Sequence, residues 1–310
     1  MIINTPAYSI LENVSLDENN EEFTSSPSVY EPAEDTFLML DVLELDLEQV
    51  INTRLSKNNT IVGSTAKCGP LLVVELGCGF GILTAAISKA LSDTLSSITV
   101  GAHCIAIDMN PAACRKTIMT CKLNNVEADA IRGDLLTWMR YPETIKANND
   151  SNKETFGPID ILLFNPPYVR GPEGEQAPTP RITKIDTQDP VAHDRQLAIM
   201  ADAAWLGGGP DGIDVLKRAL HQAADLLSEY GVFYALMIDY NYNALVRDEM
   251  QARRDRTDQN IYNDDLNNIE LTTFGSSPAS RHLICTRILS RNVPGEHLAV
   301  YRIYRPIDLN

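Results

Sequence analysis

The chain has 310 residues, 44% of them hydrophobic and 22% charged, a balance that suits a soluble globular protein, and no apolar run reaches the length that spans a bilayer. Its 42 Asp and Glu against 26 Lys and Arg give a formal charge of -16, which opposes unaided attraction to a polyphosphate backbone. Six cysteines without a C-x-x-C pair and five histidines outside metal-ligand spacing argue against a metal site; the start Met1-Ile2-Ile3-Asn4 has no secretory pattern, so the expected compartment is cytosol or nucleus.

Residues 9–28 are polar and acidic. Tyr30-Glu31-Pro32-Ala33-Glu34-Asp35-Thr36 then leads into Phe37, Leu40, Leu43 and Leu47 at helical spacing, with proline and two acids placed as a helix N-terminus favours. The polar stretch 52–69 reads as a connection to Leu71-Leu72-Val73-Val74-Glu75-Leu76, an apolar run of the kind buried on both faces of a parallel sheet. A glycine turn at 77–81, a helix over 82–91, a strand over 103–108 and a helix from Pro111 to 124 follow. Next come a short strand over Ala130 to Arg132, a strong one over 159–164, a helix over 213–228 and a strand over 232–238. The alternation predicts an α/β fold with a doubly wound, mostly parallel sheet. Residues 284–289 and 298–304, joined by Asn292-Val293-Pro294-Gly295, predict an antiparallel edge hairpin. The expected organisation is a polar segment over 1–29 and one domain over 30–310, with insertions near 144–157, 171–194 and 251–280.

Glu75-Leu76-Gly77-Cys78-Gly79-Phe80-Gly81 closes a strand and opens a helix, the context that makes a glycine cluster a ligand loop. Its spacing is G-x-G-x-G, whereas a pyrophosphate-binding dinucleotide loop has G-x-G-x-x-G. Glycines without Cβ atoms let backbone lie against the amino-acid and ribose parts of S-adenosylmethionine, and Glu75 adds negative charge for its cationic groups. Taken alone, the cluster also reads as a plain tight turn. Asp108 and Asp134 add weight, since both follow strands beside the first, where this sheet type places ligand contacts. Asp108 suits both ribose hydroxyls and Asp134 the adenine amino group, with Leu135 packing on the ring; singly, each acid reads equally as a cap or turn residue.

Asn165-Pro166-Pro167-Tyr168 follows the apolar strand 159–164. The prolines fix φ and remove N–H donors, so the turn offers rigid carbonyl acceptors beside the Asn165 side-chain oxygen. Two acceptors hold one NH2 group, and Tyr168 stacks on the planar group that carries it. Orienting both N–H bonds aims a delocalised lone pair at a methyl donor, so catalysis is mainly positioning, aided by carbonyl dipoles as nitrogen gains positive charge.

Asn165 to Tyr168, Glu75 to Gly81 and above all Tyr30 to Thr36 resemble the eukaryotic HemK-type glutamine methyltransferases, as do Ala204-Trp205-Leu206-Gly207-Gly208 and Asp211-Gly212. The resemblance runs from Tyr30 to Arg305. It implies the Rossmann-like seven-stranded fold of class I methyltransferases, with Glu31, Asp35 and Thr36 near the cofactor. It further implies methylation of N5 of the glutamine in the Gly-Gly-Gln motif of translation release factor subunit 1. The implied partner is a small zinc-binding activator subunit, pairing with the sheet edge near Ala130 to Arg132, as edge strands permit.

Adenine-N6 and protein lysine methylation are the alternative uses of the same Asn-Pro-Pro-Tyr site, the acidic balance opposing direct nucleic-acid binding. Arg253, Arg254 and Arg256 read as a solvated helix face, His193 and Asp194 as bystanders in a polar loop, and Trp205 as packing.

Overall fold

The computed structural model describes residues 1–8, 29–59, 69–95, 100–140, 156–171, 205–255, 268–276 and 282–306. Most of the three expected insertions, with His193, Asp194 and Arg256, lies outside those residues. Among the described residues no helix is long and apolar enough to cross a membrane.

Strands β1 (Leu71–Leu76), β2 (Ala102–Asp108), β3 (Asp129–Arg132), β4 (Ile159–Phe164) and β5 (Leu227–Ile238) are joined by α1 (Glu34–Asn59, preceding β1), α2 (Ile82–Leu95), α3 (Pro111–Leu123) and α4 (Asp214–Leu226). After β5 come α5 (Asp239–Asp255), β6 (Asn268–Leu271), β7 (Leu283–Val293) and β8 (Glu296–Tyr304). The sheet order is β3-β2-β1-β4-β5-β8-β7-β6. Neighbours from β3 to β5 are parallel, and β5–β8, β8–β7 and β7–β6 are antiparallel. This is the expected class, with eight strands among the described residues in place of seven. The additional strand, β6, falls inside the expected 251–280 insertion; four residues, only Leu271 buried, carry too little alternation to read as a strand.

The chain winds outward from β1 to β3, then crosses back to β4 on the other side of β1. Ligands in open α/β sheets sit at such a reversal, outside the carboxyl ends of the strands. Both faces are covered, one cluster of buried residues joining α1 and α2 to the sheet and the other joining α4 and α5. That double burial explains the unbroken apolar runs of β1 and β4.

Helix α1 runs to Asn59, eight residues into the polar stretch from Asn52 that reads as a connection. Its polar residues are held: Thr53 and Ser56 hydroxyls donate to the carbonyls of Gln49 and Asn52 at 2.9 and 2.6 Å. Arg54 donates to the buried Asp160 of β4 at 2.7 Å, which also accepts Leu72 N–H and the Ser228 hydroxyl. Farther up the helix, buried Asp46 accepts the Tyr234 hydroxyl at 2.5 Å and an Arg302 N–H at 2.7 Å. These ties fix α1 along the sheet, and with it Asp35 at the helix start.

Residues 1–8 also pack onto this body. Ile3 is buried in the core, Tyr8 meets Phe80 edge-on at 5.9 Å, and Ala7 and Asn124 exchange two hydrogen bonds. Gly157, expected within an insertion, belongs to the core: its N–H donates to Leu227 at 2.9 Å, and a Cβ there would fall 2.0 Å from the Leu226 carbonyl oxygen.

Candidate active site

The glycine loop after β1 and the proline turn after β4 leave adjacent, parallel strands at the same end, Leu76 lying opposite Phe164. Gly77 and Gly79 have φ of 62° and 49°, the left-handed region that glycine enters without strain. A Cβ on Gly77 would sit 3.5 Å from the Phe164 ring and 3.9 Å from the Asn165 carbonyl oxygen, so the two motifs touch. One on Gly79 would find Val29 at 3.9 Å and the Tyr30 carbonyl at 4.0 Å, so the segment entering α1 passes over the loop. Gly81, expected among the cofactor contacts, shares the left-handed backbone at φ 73° and has a further reason to be glycine. Its Cβ would fall 2.6 Å from Thr117 Cα, a backbone approach that packs the loop against α3.

Asp108 ends β2 beside this loop. Its two oxygens accept Gly79 N–H at 3.1 Å and Asn110 N–H at 2.8 Å, leaving each able to accept again. Burial pushes its pKa up, against the pull of those backbone donors. Hydroxyl donors of a ribose would complete that solvation. Glu75 is turned inward: its Oε2 accepts Thr84 N–H at 2.8 Å and the Thr84 hydroxyl, at the start of α2. Burial raises its pKa to about 8, so its charge is withheld near neutrality until a cation lies nearby. Asp134 is held by Arg218 of α4 through Oδ2, an orientation the sequence does not announce. Leu135 follows at φ 50° and is buried. Asp35 is buried, its carboxylate accepting Thr36 N–H at 2.6 Å, while Glu31 is exposed. The left-handed glycines, the partly solvated Asp108 and the withheld charge of Glu75 fit S-adenosylmethionine, a sulfonium ligand with a ribose.

The turn after β4 carries the reactive end. Asn165 Oδ1 is buried and, among the described residues, has no hydrogen-bond partner. Leaving such an acceptor unsatisfied costs about 1–3 kcal/mol, and it persists where a ligand donor completes it. Tyr168 is half-buried; burial first, then Asp35, Glu296 and Tyr30, push its hydroxyl well above the ordinary phenol range, keeping it protonated. The back of the turn is packed by a segment that the sequence marks by resemblance alone, with Trp205 read as packing. Val169 N–H donates to Trp205 at 3.1 Å and Gly207 N–H to Val169 at 2.9 Å. A Cβ on Gly207 would fall 2.6 Å from the Pro167 carbonyl oxygen, and one on Gly212 2.6 Å from that of Tyr168. The signal for this support is the glycine density of 207–212. Trp205, expected to be packing, is exposed, its backbone rather than its ring serving the turn. Arg253 is engaged as well, donating to Glu270 of β6.

A parallel sheet with a sulfonium-fitting loop at its switch point, next to an unpartnered acceptor for a planar NH2, defines an S-adenosylmethionine-dependent N-methyltransferase. No protein-family model matches the chain. Among curated proteins it is 32% identical over 215 residues to the eRF1 methyltransferase catalytic subunit mtq2 of Schizosaccharomyces pombe, covering 69% of this chain and 74% of that one. It is 30% identical over 213 residues to the methyltransferase HEMK2 of Homo sapiens, covering 69% and 73%. A human MTRF1L release factor glutamine methyltransferase is 28% identical over 229 residues, covering 74% and 55%. The chain belongs to the eukaryotic HemK-type family of protein-glutamine methyltransferases.

Proposed function

We propose that the chain methylates N5 of the glutamine in the Gly-Gly-Gln motif of translation release factor subunit 1, in the cytosol, as the catalytic half of a heterodimer. The observation that carries this reading is Asn165 Oδ1, a buried acceptor without a partner, beside the glycine loop. A primary amide has two N–H donors in one plane; one meets Asn165 Oδ1, a carbonyl of the proline turn takes the other, and Tyr168 covers the plane. The nitrogen lone pair, normal to that plane, then faces the methyl donor, so alignment replaces a strong base. The cofactor would supply the methyl group and leave as the thioether; the chain orients the amide and places carbonyl dipoles where positive charge grows, and the methylated nitrogen gives up one of its two N–H protons to solvent.

Release factor as target is supported by the names of the fission-yeast and human relatives. The fission-yeast relative is described as a catalytic subunit, which supports a second, non-catalytic subunit. The surface for the small zinc-binding activator is β3, the terminal strand on the parallel side and four residues long, whose outer edge offers backbone groups to an added strand. The test is mass spectrometry of purified release factor after incubation with S-adenosylmethionine, with and without the activator. A single added methyl on that glutamine, faster with activator, is expected. Methyl on lysine or on adenine of added nucleic acid, with none on glutamine, overturns the assignment.

A further inference from the structure

The nucleophile turn cannot hold itself. Pro166 and Pro167 have no N–H, so the turn's own closing donor is Tyr168 N–H alone, and among the described residues it makes no backbone bond back to Asn165. The hold must come from outside. One source is Asn241, in the first turn of α5 and 1% exposed. Its Nδ2 donates to the carbonyls of Asp211 at 2.9 Å, Tyr168 at 3.2 Å and Gly212 at 3.5 Å, and its Oδ1 accepts Ile238 N–H at 3.3 Å. One amide therefore joins the end of β5, the last residue of the turn and the glycine loop behind it. An asparagine early in a helix ordinarily caps its own helix; here the donor end is spent on two other segments.

The surroundings make that bond a setting for the turn. Gly212, at φ 65°, lies against the Tyr168 carbonyl from one side, where a Cβ would come within 2.6 Å. Tyr240, next to Asn241, lies under the Arg170 guanidinium and donates to Asp211 at 3.0 Å, and Asp211 is paired with Arg247. The segment leaving the turn is thus gripped at Tyr168 by Asn241 and at Arg170 by Tyr240, both from the start of α5.

We propose that Asn241 is a positioning residue for methyl transfer: by fixing the Tyr168 carbonyl it sets the pitch of Asn165-Pro166-Pro167-Tyr168, and so the distance from the held nitrogen to the methyl donor. This rests on the reading of Asn165 as the amide clamp. Displacement of a reacting group by about 1 Å costs on the order of a hundredfold in rate, so loss of one of several holds is expected to cost about 10- to 50-fold.

The test uses the full chain with its activator and release factor, comparing Asn241→Ala and Asn241→Asp, the latter similar in shape with no amide donor. Single-turnover rate, cofactor affinity by calorimetry and thermal unfolding are measured, and Asn241→Ala is repeated in an Asn165→Ala background. The expected result is a rate about 10- to 50-fold lower with cofactor affinity within about twofold. In the Asn165→Ala background the same substitution should change the residual rate by less than about threefold, because the contact it positions is already absent. Wild-type rates in the single variants, a cofactor-affinity loss matching the rate loss, or full multiplication of the two effects overturns the proposal. Should Asn241→Ala fail to fold, Gly212→Ala displaces the same carbonyl and is expected to give the same signature; failure of both to fold makes the hold purely structural and overturns it. A wild-type rate for Asn165→Ala instead removes the clamp, and the proposal with it, whereas a slow Asn165→Ala beside a normal Asn241→Ala sinks the positioning role alone.

Discussion

Two loops leave neighbouring strands of one sheet and meet, yet they are prepared for their ligands in opposite ways. In the loop after β1 the polar groups are met from within: Gly79 N–H by Asp108, Glu75 by Thr84. In the turn after β4 the key acceptor, Asn165 Oδ1, is left unmet in a buried position. A satisfied loop presents shape and tuned charge to a cofactor that binds as a cation and leaves as a neutral thioether, with no bond made to the loop itself. An unsatisfied acceptor exerts its pull on one kind of donor and is worth most when that donor is turning into a cation.

The largest effect that would break this contrast belongs to Asn165. Asn165→Ala is expected to lower turnover by about 3–4 kcal/mol, a few hundredfold, with calorimetric cofactor affinity unchanged. A folded variant that methylates glutamine at the wild-type rate would reduce the turn to a turn. Asp108→Ala should do the converse, weakening the cofactor by about 1.5–3 kcal/mol per lost charge-assisted bond while the turn stays intact. Unaltered affinity would remove Asp108 from the ribose site.

Gly81 sharpens the comparison, because it lies in the cofactor loop and answers to α3. Gly81→Ala should cost about 1–3 kcal/mol in denaturant unfolding through the collision with Thr117. Its cofactor affinity, measured where the variant is folded, should hardly move. A stable variant with lost affinity would return Gly81 to the ligand contacts.

The smallest effect, taken per unit of pH, is a titration. Glu75 has a folded pKa of about 8, above its ordinary 4.5, so between those values the native state holds a proton that the unfolded state has released. Stability from this group therefore falls as pH rises through that window, by about 1.4 kcal/mol per unit, and levels off above pH 8. Glu75→Gln should flatten that slope and weaken the cofactor, whose positive charge loses its counter-charge. An unchanged slope in urea midpoints from pH 5 to 8 would place the titration elsewhere.

What the sequence made legible follows from where the forces lie. Strand β4 is read to the residue because burial on both faces leaves an apolar run with no other use. The glycine loop and Asn165-Pro166-Pro167-Tyr168 are legible because their chemistry is local. The last two turns of α1 are not, nor is α5 beyond a helix face at Arg253 and Arg254, since Arg54 and Arg253 are helical residues whose partners, Asp160 and Glu270, lie in strands. Asn241 and Arg218 escape notice for the same reason: an asparagine after a strand and an arginine on a helix acquire a role only when the crossing elements bring Tyr168 and Asp134 to them.

The order of strands at the antiparallel side has a consequence for synthesis. β8 emerges from the ribosome after β5, β6 and β7, yet lies between β5 and β7. Until residues 296–304 are available, β5 keeps an open edge from Val232 to Ile238, and β6 and β7 have no strand joining them to the sheet. The parallel half can close during translation; the antiparallel wing must wait for its keystone, and the nascent chain carries an exposed, apolar strand edge in the interval, the kind of surface that chaperones shield.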